Sequence, residues 1–185
     1  MYKIISIDIK QVFADDDKKR GVQKYAEILQ MFPNVNVKTD KVFQKKFNGF
    51  YRVRRNADWQ KVYYSIMEKS KGKDVAFADV LWEIYNATGR VEASFASKLV
   101  HTLNNDMPIW DKFVLQNLDK KMPILQGEKK LLKAIEIYDE IIAWYKEALL
   151  QKEVQKKILE FDAVFPQYSW FSNTKKIDFL LWQNR

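Results

Sequence analysis

The sequence predicts an all-α protein, a mainly helical array in which one short N-terminal strand is the only exception left open. Most apolar side chains recur at intervals of three and four residues, the spacing that gathers them on one face of a helix. Glycine occurs only five times and proline four times, too few for a loop-dominated chain. No internal repeat and no Gly/Ser/Pro-rich linker is present, so residues 1–185 are predicted to form a single helical domain.

The N-terminal segment contains the one alternating pattern in the chain. Ile5, Ile7 and Ile9 are separated by polar residues, which is the two-residue period of a half-buried strand. Six residues are too few to exclude a helical start, and no partner strand is evident. Both a short strand and a helical or irregular start therefore stay open.

The first clear helix is predicted from about residue 15 to residue 32, where Pro33 ends it. Its apolar face consists of Val22, Tyr25, Leu29 and Phe32. Asp15, Asp16 and Asp17 precede that face, where carboxylates suit the positive end of the helix dipole. Residues 34–41 are predicted to form a loop.

Three helices are predicted in the middle of the chain, from Trp59 to Met67, from Phe77 to Tyr85 and from Glu92 to Leu103. Asp74 is expected to cap the second of them, and Gly89 lies just beyond its end. The third begins with small residues that permit close approach to a neighbouring helix.

The C-terminal half predicts a short helix from Asp111, after the extended turn that Pro108 imposes, and then a long helix over residues 128–149. Its inward face is predicted to comprise Leu131, Leu132, Ile135, Tyr138, Ile142, Tyr145 and Leu149. The pattern continues or kinks into residues 150–163 and ends before Pro166. Residues 175–182 are too apolar for a free tail and are expected to dock on the core as a helix.

Composition excludes several kinds of chemistry. The absence of cysteine rules out disulfides, thiolate nucleophiles and cysteine-bound metal clusters. His101 is the only histidine, more often a satisfied buried imidazole than a catalyst, and no glycine-rich phosphate loop is present, so neither a metal nor a cofactor is expected. No apolar run spans a bilayer and the N-terminus lacks a signal peptide pattern, which predicts a cytoplasmic protein without membrane partners.

A dense basic and aromatic cluster covers residues 47–55. Arg52, Arg54 and Arg55 follow Phe50 and Tyr51 there, and the chain as a whole carries a formal net charge of +8. The arginines could grip phosphates while the rings stack on exposed bases. Alternatively, the arginines form a solvated basic face and the aromatic rings belong to the core.

Residues 86–114 form the segment most informative about function. They place a helix, a tight turn at Gly89, a helix rich in small residues, a turn at Pro108 and an aspartate, Asp111, that opens a helix. This order resembles the helix-hairpin-helix and Gly/Pro-Asp signature of the DNA base-excision glycosylases. The phrases around residues 94–111 and 176–182 also look like those of a group of uncharacterised bacterial proteins, which brings no assigned activity.

The glycosylase resemblance implies a DNA-binding protein. Gly89 matches the first hairpin glycine, Arg90 stands where the hairpin is hydrophobic, and Val91 replaces the second glycine. The hairpin implies backbone N–H groups that bind a phosphate, and Lys98 on the following helix joins this nucleic-acid-binding set. Asp111 matches the active-centre aspartate. Ala93 occupies the place of the Schiff-base lysine in lyase-competent members, so the resemblance implies at most a monofunctional N-glycosylase.

Two interpretations of Asp111 and two of the whole protein stay open. Asp111 either stabilises charge or activates water beside a flipped base, or it only caps its helix. The protein is either a nucleic-acid-binding protein on a glycosylase-like scaffold or a non-enzymatic helical module that binds another protein. Residues 150–163 could provide an amphipathic surface helix for such a protein contact.

Overall fold

The structure is a computed structural model that describes residues 3–121 and 124–183. Within these residues the fold is all-α, as the sequence predicts, and it contains no strand. One cluster of buried apolar side chains extends from Ile4 to Leu181. The helices of the described residues are α1 (Ile9–Val12), α2 (Asp16–Met31), α3 (Lys41–Tyr51), α4 (Ala57–Lys69), α5 (Phe77–Thr88), α6 (Ala93–Leu103), α7 (Lys112–Asn117), α8 (Gly127–Leu149), α9 (Lys152–Val164) and α10 (Asn173–Gln183).

The open possibility of an N-terminal strand is not realised. Residues Lys3–Ser6 form a 3₁₀ helix, and α1 begins at Ile9 after its cap, Asp8. A strand needs a neighbouring strand to satisfy its backbone, whereas here the bonds are local, as from Phe13 N to Ile9 O over 3.0 Å. The isoleucines that are buried, Ile4, Ile7 and Ile9, lie in a segment that contacts α9.

Helix α3 was not predicted from the sequence. It accounts for aromatic residues of the basic and aromatic cluster. Phe43, Phe47 and Tyr51 recur every four residues and are all buried, so these rings belong to the core. Asp40 caps the helix by accepting a hydrogen bond from Phe43 N over 2.7 Å. The helix ends at Arg52, whose left-handed φ of 54° turns the chain.

The helices α5 and α6 form a tight hairpin. Gly89 ends α5 with φ of 67°, the left-handed conformation that glycine adopts most readily, as the sequence predicts. Ala93 and Ala96 are buried on α6, as expected for a closely packed helix. The predicted cap at Asp74 is wrong, because α5 begins after Ala76 and has no side-chain cap.

The long helix α8 has the predicted bounds within one residue, but its buried face is rotated slightly. Leu132 is 53% exposed and not inward-facing, while Ile137 and Ile141 take the buried positions beside Tyr138. Because a helix has 3.6 residues per turn, two adjacent apolar stripes on it can have the same spacing in the sequence. Which stripe is buried depends on how the helix packs against its neighbours.

The last two helices complete the core. Helix α8 ends at Leu149, and α9 follows as a separate helix in which Val154, Ile158 and Phe161 are buried. Helix α10 docks as predicted and contacts α7, α8 and α9. None of the helices in residues 3–121 and 124–183 combines the length and apolar character of a membrane span.

Candidate functional site

A cavity of about 410 Å³ lies where the end of α3, helix α6, the start of α7 and helix α10 meet. This volume is within the usual range for small-molecule sites. Its charged and polar wall comprises Arg52, Ser94, Lys98, Asp111, Lys112, Lys175 and Asp178. Its aromatic wall comprises Phe50, Tyr51, Trp110, Phe113, Phe179 and Trp182.

Asp111 lies in this wall and also caps α7. Its Oδ1 accepts hydrogen bonds from Phe113 N over 2.7 Å and from Val114 N over 3.1 Å. The capping interpretation is therefore confirmed. No hydrogen bond within the described residues reaches the second oxygen, Oδ2. One carboxylate oxygen fixes the side chain and the other is available to a ligand.

The segment before Asp111 is fixed by buried hydrogen bonds. Trp110 N donates to Ser97 Oγ over 2.9 Å, so the small residue on α6 sets the distance between the two elements. The hydroxyl of Tyr138 on α8 donates to Pro108 O over 2.7 Å. These contacts satisfy backbone groups of an irregular segment and fix the start of α7 in one position.

Lys98 points from α6 into the same cavity. Its Nζ donates to Ser94 Oγ over 3.0 Å and lies 5.0 Å from the centroid of the Phe95 ring. Burial lowers the pKa of Lys98 to about 8, while Asp111 and Asp178 oppose that shift through their charges. The lysine is therefore a cation at neutral pH that loses its proton under mildly basic conditions.

A second carboxylate, Asp178, faces the cavity from α10. It forms a buried ion pair with Lys175, whose Nζ is 2.5 Å from Oδ2. Burial raises the pKa of Asp178, and Lys175 opposes the shift. Lys175 also lies over the rings of Tyr25 and Phe179, at 4.6 Å and 4.5 Å from their centroids.

Sequence reasoning missed Asp178 and Lys175. In the sequence they stand three residues apart in a helix, the usual spacing of a solvated surface pair. The sequence did contain one indication of their burial. Both residues lie in an apolar segment that is predicted to dock on the core, where a charged pair would be buried. Their side chains are 9% and 3% exposed, respectively.

The predicted nucleic-acid-binding residues do not all meet at the cavity. Arg52 lines it, whereas Arg54 is exposed elsewhere and Arg55 binds Glu92, with 2.8 Å between Nη2 and Oε1. Arg90 also approaches Glu92, at 3.5 Å from Nε to Oε1.

The hairpin turn itself stands apart from the cavity. Gly89, Arg90 and Val91 are outside the set of residues that line it. Arg90 N donates to Thr88 Oγ1 over 3.3 Å. The structure thus brings together Asp111, Lys98 and Arg52 and separates them from the turn.

Comparisons of the chain with known protein families, with curated proteins and with solved structures find no significant match.

Proposed function

We propose that this protein binds nucleic acid and accommodates one unstacked base in the cavity, where Asp111 promotes hydrolysis of the N-glycosidic bond. The observation that carries the proposal is that Asp111, Lys98 and Arg52, three residues selected from the sequence, line one cavity. These three residues provide one carboxylate and two cations beside the aromatic wall of a cavity of about 410 Å³.

The wall composition fits an extruded base. Flipped bases are held by stacking between aromatic side chains and by polar groups at their edges. Phe50, Phe113 and Trp182 are partly exposed and offer ring surfaces, while Ser94 and Asp178 offer polar groups. Arg52 and Lys98 supply positive charge for the adjacent phosphates.

Asp111 has the features that the hydrolytic step requires. The C1′–N bond breaks and its electron pair stays with the departing base, while a water oxygen bonds to C1′ and loses a proton. An ionised carboxylate stabilises the positive charge that develops on the sugar, or accepts that proton. The two backbone N–H groups at the start of α7 fix the Asp111 side chain in one rotamer while it does so.

The alternative protein-interaction module has less support. The apolar residues Val154, Ile158 and Phe161 are buried within the chain, and the large exposed apolar residues of segment 150–163 are Leu150 and Leu159. An amphipathic helix whose apolar stripe already packs on its own core has little surface left for a partner.

The first experiment is fluorescence anisotropy of labelled duplex and single-stranded DNA at roughly 50 and 200 mM salt. We expect binding that weakens steeply with salt, followed by base release from some duplexes in a panel with damaged bases. Asp111→Asn should abolish release and retain binding, and Asp106→Asn, an exposed aspartate outside the cavity wall, should retain both. Absence of binding at low salt would refute the proposal and direct attention to protein partners.

A further inference from the structure

A second concave surface lies between α2 and α3. It is a groove of about 850 Å³, and five of its side chains are cationic: Arg20, Lys24, Lys41, Lys45 and Lys46. Glu27 is the one carboxylate in its lining, so the groove carries a net charge of +4. Sequence analysis did not select any of these residues, because each alone is an ordinary surface residue.

Part of this charge has no partner in the described residues. Lys46 is bound to Glu27, with 2.6 Å between Nζ and Oε2, and Arg20 is bound to Asp17. Lys24 and Lys45 are exposed, and neither forms an ion pair within the described part of the chain. Their positive charge is available to an anionic ligand.

The cations form two rows that face each other. Arg20 and Lys24 are four residues apart on α2, and Lys41 and Lys45 are four residues apart on α3. Residues with this spacing share one face of a helix, about 6 Å apart along its axis. An elongated ligand with charge along its length suits such a surface better than a single compact anion.

The groove and the cavity share one lining residue, Phe50. Phe50 lines both of them, so its half-buried ring stands at the boundary between the groove and the aromatic wall. A ligand that follows the groove toward the end of α3 therefore meets Phe50 and then Arg52 at the cavity. The charged surface and the candidate site therefore adjoin at the end of α3.

We propose that the α2–α3 groove binds the sugar–phosphate backbone of the nucleic-acid strand that carries the base in the cavity. This inference rests on the proposed function and assigns it a binding path. Strand-binding proteins combine a positively charged groove with aromatic side chains on which bases stack. An anionic membrane fits less well, because the surface is concave and Val42 is the one large apolar side chain that it exposes.

The test compares two double variants of the full chain that remove the same charge. Lys24→Gln with Lys45→Gln changes the groove, while Lys129→Gln with Lys156→Gln changes exposed lysines on α8 and α9. Each loses two cations without breaking an ion pair of the described residues, so both should keep the melting temperature of the parent. The probe is a fluorescein-labelled single-stranded DNA, titrated across a salt series.

We expect the groove variant to bind about tenfold more weakly at low salt and its log K against log salt slope to fall by about 1.4, or 0.7 for each lost phosphate contact. The control should stay within about twofold of the parent. The groove assignment would be overturned if both variants weakened equally or if the groove variant bound like the parent. In either case, binding of DNA by the parent would still support the proposed function. A parent that binds no DNA would overturn both. Loss of binding to phosphatidylserine vesicles but not to DNA would assign the groove to a membrane surface instead.

Discussion

The hydroxyl of Tyr25 on α2 donates a hydrogen bond to Nε2 of His101 on α6, with 2.8 Å between the two atoms. The direction follows from the other side of the ring, where Nδ1 lies 2.6 Å from Met107 O, which can only accept. His101 is thus neutral, with its proton on Nδ1. It connects α2 to the segment that leads to Asp111.

This buried histidine should make folding sensitive to acid. Burial lowers the pKa of His101 to about 3, and the charge of Lys175 adds to the effect. An unfolded histidine has a pKa near 6.5, so the unfolded chain binds the proton first as pH falls. The stability from this group is complete above pH 6.5 and is lost toward pH 3, by about 1.4 kcal/mol for each pH unit.

Urea unfolding of the parent and of His101→Gln across this pH range measures the effect. At neutral pH the variant should be less stable by about 2–4 kcal/mol, since Tyr25 and Met107 lose a buried partner. The difference should shrink with falling pH. Two parallel pH profiles would show that His101 is not held neutral.

Asp111 can be separated into its capping and cavity roles by two substitutions. Asparagine caps helices about as well as aspartate, whereas alanine costs about 1 kcal/mol. Asp111→Asn should therefore keep the stability of the parent, and Asp111→Ala should lose about that amount. Chemical denaturation tests both. A large loss of stability in Asp111→Asn would mean that the charge of Asp111 itself maintains the fold. That variant could then no longer serve as the probe of catalysis.

The sequence predicted the helices whose apolar period was long and uninterrupted, such as α2 and α8. It failed at α3, because Phe43, Phe47 and Tyr51 have helical spacing but stand among lysines and arginines, which left open whether the rings in residues 47–55 belong to the core or contact a ligand. It could not decide the N-terminal segment, where three isoleucines fit both a strand and short helical turns. In each case the missing information was the neighbour against which the side chains pack.

The candidate site shows the same division. Lys98 and Asp111 lie 13 residues apart on either side of the predicted turn at Pro108, and both belong to the set that the glycosylase resemblance selects. Asp178 and Lys175 reach the cavity only because α10 returns to α7. The α2–α3 groove likewise depends on the packing of two helices, which no pattern within either helix reveals.

Lys98 should lower stability in exchange for charge in the cavity. Its folded pKa of about 8 lies below the ordinary value of 10.5. Below pH 8 Lys98 is charged in both the folded and the unfolded chain, and the folded chain bears the full cost of desolvating that charge. This cost disappears as the pH rises from 8 to 10.5. Lys98→Met should therefore be more stable than the parent at pH 7, on the order of 2 kcal/mol, and this advantage should vanish above pH 10.

The charge of Lys98 should also make the proposed DNA binding depend on pH. Affinity of the parent should fall as pH rises through about 8, where Lys98 loses its charge. Lys98→Met should bind more weakly at pH 7 and change little between pH 7 and 9. Anisotropy titrations at fixed salt measure both proteins. A methionine variant that binds as tightly as the parent would remove Lys98 from the binding surface.

Glu92 should restrain the hairpin from binding phosphate. It holds Arg55 and approaches Arg90 beside the turn at Gly89, so one carboxylate opposes the positive charge of two arginines. Glu92→Gln should raise DNA affinity about three- to tenfold at low salt and steepen the salt dependence, by roughly 0.7–0.9 in slope for each new phosphate contact. The matched control is Glu83→Gln, which removes the partner of Lys69 on the surface of α5 without touching the turn.

The two glutamine variants separate a local effect from a general one. Both change the net charge by the same amount, so a nonspecific gain in affinity would appear equally in each. Only contact between the hairpin arginines and the DNA backbone gives a larger gain for Glu92→Gln. That variant should also lose about 1–2 kcal/mol of stability, because Arg55 is 32% exposed and its ion pair is only partly buried. Equal gains from the two variants would instead confine DNA binding to the cavity and the groove.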